Sequence, residues 1–248
     1  MPRLDWLIAR PFAHRGLHDA AAGIIENTSP AFAAAIAGRY GIECDVQVSR
    51  DGDAIVHHDA ALGRLTEGMA LLADMSASEL RAVRFKGSDA RMQTLAELCD
   101  LVAGRTPLLV EMKSHFDGDL RLVHRVAEVL SAYRGPAAAM SFDPAMIAEL
   151  RRRAPDLPRG IVAERRYDHP EWNPLSPRTK RSMAFLLHAP ATRPHFVAYS
   201  VKDLPSPAPL LARTFGLPLL TWTVRTEQDR RSAARWADQL IFEGWRPL

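Results

Sequence analysis

Eight short apolar runs recur along this chain, and most are separated by a longer stretch with helical periodicity. The runs cover residues 8–13, 41–48, 108–113, 137–142, 159–163, 196–200, 218–224 and 239–242. Helical patterns occupy 30–39, 94–103, 118–133, 144–154, 206–215 and 227–236. Strands that alternate with helices must pair in parallel, because each helix carries the chain back across the sheet before the next strand begins. About eight such units within 248 residues favour a closed barrel over an open, doubly wound sheet. The expectation is an α/β fold, a TIM-type (β/α)8 barrel formed as one domain over residues 1–248. No internal repeat, low-complexity segment or convincing linker divides it.

Several boundaries carry their own punctuation. Thr28 or Ser29 can cap the first long helix with Pro30 in its first turn, and Asp143-Pro144 repeats the device. Arg151, Arg152 and Arg153 close the helix that follows, where cations offset the helix dipole, and read as a solvated helix end rather than a binding patch. Two connections are too long for a plain strand–helix repeat. Residues 59–91 hold only a short helical piece at 76–81, and residues 165–194 hold one helix near 178–187. These are long loops after the second and fifth strands, on the barrel face where active sites are built.

Composition narrows the function. The net charge of +3 comes from scattered arginines, not from a dense basic tail, which hints at anionic ligands and gives no case for nucleic acid. Two cysteines, Cys44 and Cys99, make no disulfide framework and point to a reducing compartment. The opening Met1-Pro2-Arg3-Leu4-Asp5-Trp6 lacks the basic flank and long apolar run of a signal peptide and is expected to enter a strand directly. No apolar stretch approaches the ~20 residues that span a bilayer. A cytoplasmic protein without stable membrane insertion is expected; the oligomeric state is left open.

The chemistry-bearing residues cluster at strand ends. In His14-Arg15-Gly16, an arginine beside a glycine can present a bidentate fork to a phosphate while the backbone turns sharply. Within 41–48, Glu43 and Asp45 project to one face and Cys44 to the other. Two carboxylates inside a barrel need a positive partner, and a hard divalent cation is suited to carboxylate oxygens. The apolar neighbours Ile42, Val46 and Val48 argue against an exposed edge strand. Glu111 and Lys113 share a face by the same spacing, either as a surface ion pair or as a third carboxylate beside an anion-binding ammonium. In His57-His58-Asp59, after an Asp51-Gly52 turn between short strands, alternation lets only one histidine face such a site, and the residues alone do not choose.

Taken in order, these pieces resemble the glycerophosphodiester phosphodiesterase family. The resemblance rests on His14-Arg15-Gly16, Glu26-Asn27-Thr28, Glu43 and Asp45, Asp51-Gly52, His58-Asp59, and Glu111 with Lys113. It continues through Ser141-Phe142-Asp143 and Leu219-Leu220-Thr221-Trp222-Thr223-Val224, and so covers nearly the whole chain. It implies a TIM-type barrel, one divalent cation (Mg2+ or Ca2+) held by Glu43, Asp45 and Glu111, and His14 and His58 as the acid–base pair. Arg15 and Lys113 would grip the phosphate, and Trp222 would wall the glycerol or alcohol part. The substrate would be a small-molecule phosphodiester, split into glycerol 3-phosphate and an alcohol through a cyclic phosphate.

Two departures stand out. The last strand reads Ile241-Phe242-Glu243-Gly244-Trp245 where the family often has Asp and Pro, and Arg225 stands where Asn is common. The first is expected to bear on barrel closure and the second to place another cation at the site mouth; neither is expected to touch the metal or acid–base residues. Rival readings are a lysophospholipid-cleaving phosphodiesterase and a non-catalytic anion-binding barrel. Paired proton-transfer histidines argue against the second. The 165–194 connection, with Arg165, Arg166, Tyr167, His169 and Trp172, is the expected specificity element.

Overall fold

The computed structural model describes residues 4–247; Met1, Pro2 and Arg3, used above to judge the N-terminus, and Leu248 lie outside them. The chain runs α1 (Asp5–Ile8), β1 (Phe12–Ala13), α2 (Ser29–Ala37), β2 (Gly41–Val48), β3 (Ala54–Val56), α3 (Ala77–Ala82) and α4 (Leu95–Val102). Next come β4 (Leu108–Met112), α5 (Arg121–Ala132), β5 (Ala137–Ser141), α6 (Pro144–Arg153), β6 (Arg159–Ala163), α7 (Pro177–Ala184) and α8 (Ala189–Thr192). The last part is β7 (Phe196–Ser200), α9 (Pro207–Thr214), β8 (Leu219–Val224), α10 (Glu227–Trp236) and β9 (Gln239–Phe242). Eight parallel strands close into a ring, because β1 pairs with both β2 and β9. The short β3 lies outside the ring, antiparallel to β2. This is the TIM-type barrel expected from the alternation.

Strand alternation builds two cores. Along β2, Ile42, Cys44, Val46 and Val48 join residues of α2, α4 and α5 in the layer between strands and helices. The inward positions Phe12, Leu109, Ala138, Met140, Val162, Phe196, Leu220 and Ile241 fill the barrel. Every residue of β2 is buried, as expected for a parallel strand covered on both faces. Helix starts follow local chemistry: Thr94 with Glu97, and Thr226 with Asp229, form reciprocal caps on α4 and α10. Asp143 accepts from the Ala145 N–H to cap α6, a contact typically worth about 1 kcal/mol. Thr28 stands at the start of α2, but its hydroxyl bonds to the Ile25 carbonyl instead. Arg152 and Arg153 pair with Glu149.

The run 8–13 is not one strand. Residues Asp5–Ile8 form a helical turn, and the strand is only Phe12–Ala13. Pro11 has no N–H to give the ladder and offers only its carbonyl, which accepts from Gly41. Upstream of it, Leu7 is fully buried and packs with Leu4 and Trp6 onto the barrel's interior cluster. Leu4, Trp6 and Leu7, just before the run, plug the barrel's N-terminal end, whereas Ile8 is exposed.

Both long connections carry small cores. Beyond β2, the segment through β3 and α3 buries Ile55, Leu62, Leu72, Leu80, Phe85 and Met92 together. Beyond β6, Tyr167, Trp172, Met183 and Ala184 pack with Phe116, Phe142 and Leu175. Among the described residues no helix is long and apolar enough to cross a membrane.

Candidate active site

Register places the acids. Asp45 on β2 is directly paired with Glu111 on β4, and Glu43 lies two residues before Asp45 on the same inward face. Carboxylate oxygens of Glu43, Asp45 and Glu111 all come within 4.8 Å of one another, and all three residues are buried. Lys113 Nζ reaches between two of them, 2.8 Å from Asp45 and 2.6 Å from Glu111. Arg15 Nε lies 3.2 Å from Asp45, while its Nη1 is 2.7 Å from Glu26, which also holds Arg64.

The charges on these acids are unequal. Burial works to raise the Asp45 pKa, but Lys113 and Arg15 outweigh it and hold the carboxyl well below the usual range. Glu43 is raised well above that range by burial, then by Asp45 and Glu111. Its Oε2 accepts from the Arg15 backbone N–H at 2.9 Å, but its buried Oε1 has no hydrogen-bond partner. Three hard oxygen donors, with one orphaned carboxylate oxygen, fit a divalent cation of the magnesium or calcium type.

The turn that brings Arg15 here depends on its glycine. Arg15 has φ 56° and Gly16 φ 79°, and a Cβ on Gly16 would lie 2.9 Å from the backbone and side chain of Ala31. The chain can therefore reverse tightly against α2, with the Gly16 N–H donating to the Glu43 carbonyl.

A cavity of about 830 Å³ opens above the acids, lined by His14, Arg15, His58, Glu111, Lys113 and Trp222 among others. His58 reaches it; His57 is 2% exposed, set against the Phe85 ring, and burial pushes its pKa down to about 4. Trp222 donates its indole N–H to the Ala198 carbonyl and meets Phe142 edge-on at 5.5 Å, leaving part of the ring on the cavity. All eight residues singled out in the sequence thus meet at one place, with Glu43 and Asp45 buried beside the lining.

Both histidines are oriented by carboxylates. His14 Nδ1 lies 2.5 Å from Glu243 Oε2, and His58 Nδ1 lies 2.8 Å from Asp59 Oδ1. Burial opposes ionisation of Glu243, yet its bonds to His14, His18 and Arg225 keep it well below the usual range. Burial opposes Asp59 as well, and His58 and Arg64 overcome it. An ionised carboxylate only accepts, so each Nδ1 carries the proton and each Nε2 is left for chemistry. His14 Nε2 stands 4.0 Å from Glu43.

This corrects the reading of the two departures. Arg225 forks onto Glu243 at 2.8 and 3.0 Å, and Glu243 in turn holds His14. They are one network, attached to an acid–base candidate. Sequence reasoning also gave Asn27 no task, whereas its amide donates to Asp45 Oδ2 at 2.9 Å and its carbonyl oxygen accepts from the Asp45 N–H. Of the 165–194 connection, His169 and Trp172 line the cavity, Tyr167 is buried beneath, and Arg165 and Arg166 are exposed outside it.

Comparison with known proteins places the fold and family. A relative in Mycobacterium tuberculosis, named Probable glycerophosphodiester phosphodiesterase 1, is 34% identical over 189 residues. That match spans 64% of this chain and 66% of the relative, just under two thirds of its length. A structure of the same family name from Silicibacter pomeroyi superposes with a TM-score of 0.77 at 26% identity, covering 94% of this chain and 89% of that one. An Oleispira antarctica phosphodiesterase, solved with the product sn-glycerol-3-phosphate, shares the fold at a TM-score of 0.78 and 18% identity, covering 95% and 93% of the two chains. The family profile for glycerophosphoryl diester phosphodiesterases matches residues 14–244, and the chain belongs to that family.

Proposed function

We propose that this protein hydrolyses glycerophosphodiesters to glycerol 3-phosphate and an alcohol, with a divalent cation held by Glu43, Asp45 and Glu111. The observation that carries the reading is the buried carboxylate triad beside two carboxylate-oriented histidines in one cavity. When bound, the cation supplies positive charge to phosphoryl oxygens on which negative charge accumulates. Arg15 and Lys113 add to that field from the same wall.

The histidines supply proton transfer. A neutral imidazole protonated at Nδ1 accepts at Nε2, so one histidine takes the proton of the attacking hydroxyl. The other, protonated at Nε2, gives its proton to the departing alkoxide. A neighbouring glycerol hydroxyl as nucleophile gives a cyclic phosphate and free alcohol; water then opens the ring with the proton roles reversed. Trp222 bounds the organic part of the substrate.

The decisive assay incubates purified protein with glycerophosphocholine, glycerophosphoethanolamine and lysophosphatidylcholine, with Mg2+ or Ca2+ and with chelator. Metal-dependent release of alcohol is expected from the glycerol esters; none from any substrate would overturn the reading. His14→Ala and His58→Ala should each lower kcat by about 10²–10⁴-fold while far-UV circular dichroism is retained. Full activity in either variant would remove that residue from the acid–base pair.

A further inference from the structure

The cavity has two unlike walls. The triad lies within β2 and β4, and Arg15, Lys113 and the histidines stand just after β1, β4 and β3. Glu164 follows β6, the fourth strand from β1 in either direction around the ring of eight, and so stands diametrically across the barrel. Glu164 is only 9% exposed, lines the cavity, and its buried Oε1 has no hydrogen-bond partner. The Trp172 indole N–H lies near enough to favour the ionised carboxylate, but Nε1 and the Glu164 Oε1 do not meet in hydrogen-bond geometry. Burial and then the acids Asp203, Glu171 and Asp168 push Glu164 up to about 7, only part of the push being offset by Trp172.

The same cavity is lined by aromatic rings. Phe142 lies 5.0 Å from Trp172 and 5.5 Å from Trp222, and all three rings border the cavity. Phe116 joins them from the loop after β4, at 6.0 Å from Trp172. A buried acid with other acids near it is unfavourable in itself. A desolvated organic cation would relieve it, attracted by both the carboxylate and the π faces. A neutral hydroxyl would engage the carboxyl but would gain nothing from the three acids around it. One cavity thus offers positive charge and a metal-binding triad on one side, and negative charge with aromatic rings on the other.

We propose that the wall formed by Glu164, Phe142, Trp172 and Trp222 binds the ammonium group of a cationic alcohol esterified to the phosphate. This rests on the phosphodiesterase reading and sharpens it to a preference, set by this wall, for zwitterionic over neutral diesters. The chemistry is shared by free glycerol diesters and by lysophospholipid headgroups, so both are assayed.

The test compares kcat/KM for glycerophosphocholine, glycerophosphoglycerol and lysophosphatidylcholine in the wild type and in Glu164→Gln, whose folding is checked by thermal melting. The wild type should favour the choline ester over the glycerol ester by about tenfold or more, and Glu164→Gln should bring that ratio close to parity. A ratio that Glu164→Gln leaves unchanged, or a wild-type preference for the neutral ester, overturns the proposal. Turnover of lysophosphatidylcholine with the same dependence on Glu164 would place the headgroup on a lipid; turnover of the free diester alone would place it on a small molecule. A second arm does not depend on turnover. Choline chloride, titrated into chelator-treated protein, should change tryptophan fluorescence saturably, and Glu164→Gln should abolish the response. Saturation without hydrolysis of any diester would sink the phosphodiesterase reading and keep the cation site; no response to choline sinks the cation site whatever the turnover.

Discussion

Glu243 sits between an exposed guanidinium and a largely buried imidazole, and its value lies in what it fixes on each side. The contact with His14 joins residues 229 apart in the chain. Strand alternation tells which face a side chain takes, but it does not name a partner across the ring, which is why this residue reads as a closure detail in the sequence. His14, His58, Glu43, Asp45 and Glu111 were legible because each is placed by a two-residue period or by an ordered motif; Asn27 and Glu243 act only through other residues. If Glu243 holds the His14 ring with Nε2 toward the acids, Glu243→Gln should lower kcat by about 10–100-fold with KM much less affected. Glu243→Asp should recover part of the loss, because a carboxylate is restored on a shorter arm. Arg225→Ala should have a smaller effect, since it removes only the brace on Glu243. Steady-state kinetics decide it, and a kcat within twofold of wild type in Glu243→Gln would show that His14 needs no such partner.

Elements were legible where one physical signal dominated and illegible where two competed. The strand β2 declares itself by its β-branched outward residues and by acids every second position within it. The first run misled because Ile8 is the exposed end of a helical turn and only Phe12–Ala13 pair as a strand, with Pro11 dividing them. The turn after β1 is the tightest of these local constraints. A side chain at Gly16 faces a disfavoured φ of 79° and a contact of 2.9 Å with the Ala31 backbone, which has no room to retreat inside α2. Gly16→Ala should therefore destabilise the fold by about 1–3 kcal/mol, or several degrees in Tm. It should also lower activity more than stability explains, because Arg15 and the backbone N–H that holds Glu43 move with the turn. Thermal melts followed by circular dichroism test this, and an unchanged Tm would mean that the turn relaxes without resistance.

Across the whole molecule, the barrel concentrates unfavourable charge at one end and tolerates it because the remaining core is apolar and closed. Proteins that place function at such a point sacrifice some stability there. Glu43 makes the sacrifice measurable. Its folded-state pKa is raised by burial, Asp45 and Glu111, so its contribution to stability is fully present below its unfolded value near 4.5 and is lost as pH rises through the folded value. At pH 8 in chelator, well above the unfolded value, the raised carboxyl opposes folding. Glu43→Gln, which keeps the shape and an acceptor for the Arg15 N–H, should then melt higher than wild type. The gap should close as the pH is lowered toward 4.5, where the wild-type carboxyl is protonated. Adding Mg2+ or Ca2+ at pH 8 should reverse the order. A cation bound only by the folded protein stabilises the wild type by roughly 2.7 kcal/mol at a hundred times its Kd, and the variant, lacking one anionic ligand, should respond weakly. Melting curves of both proteins in chelator and in each metal decide the matter without reference to turnover. If the variant melts lower than wild type in chelator and both respond equally to metal, Glu43 is a structural acid and the cation is held elsewhere.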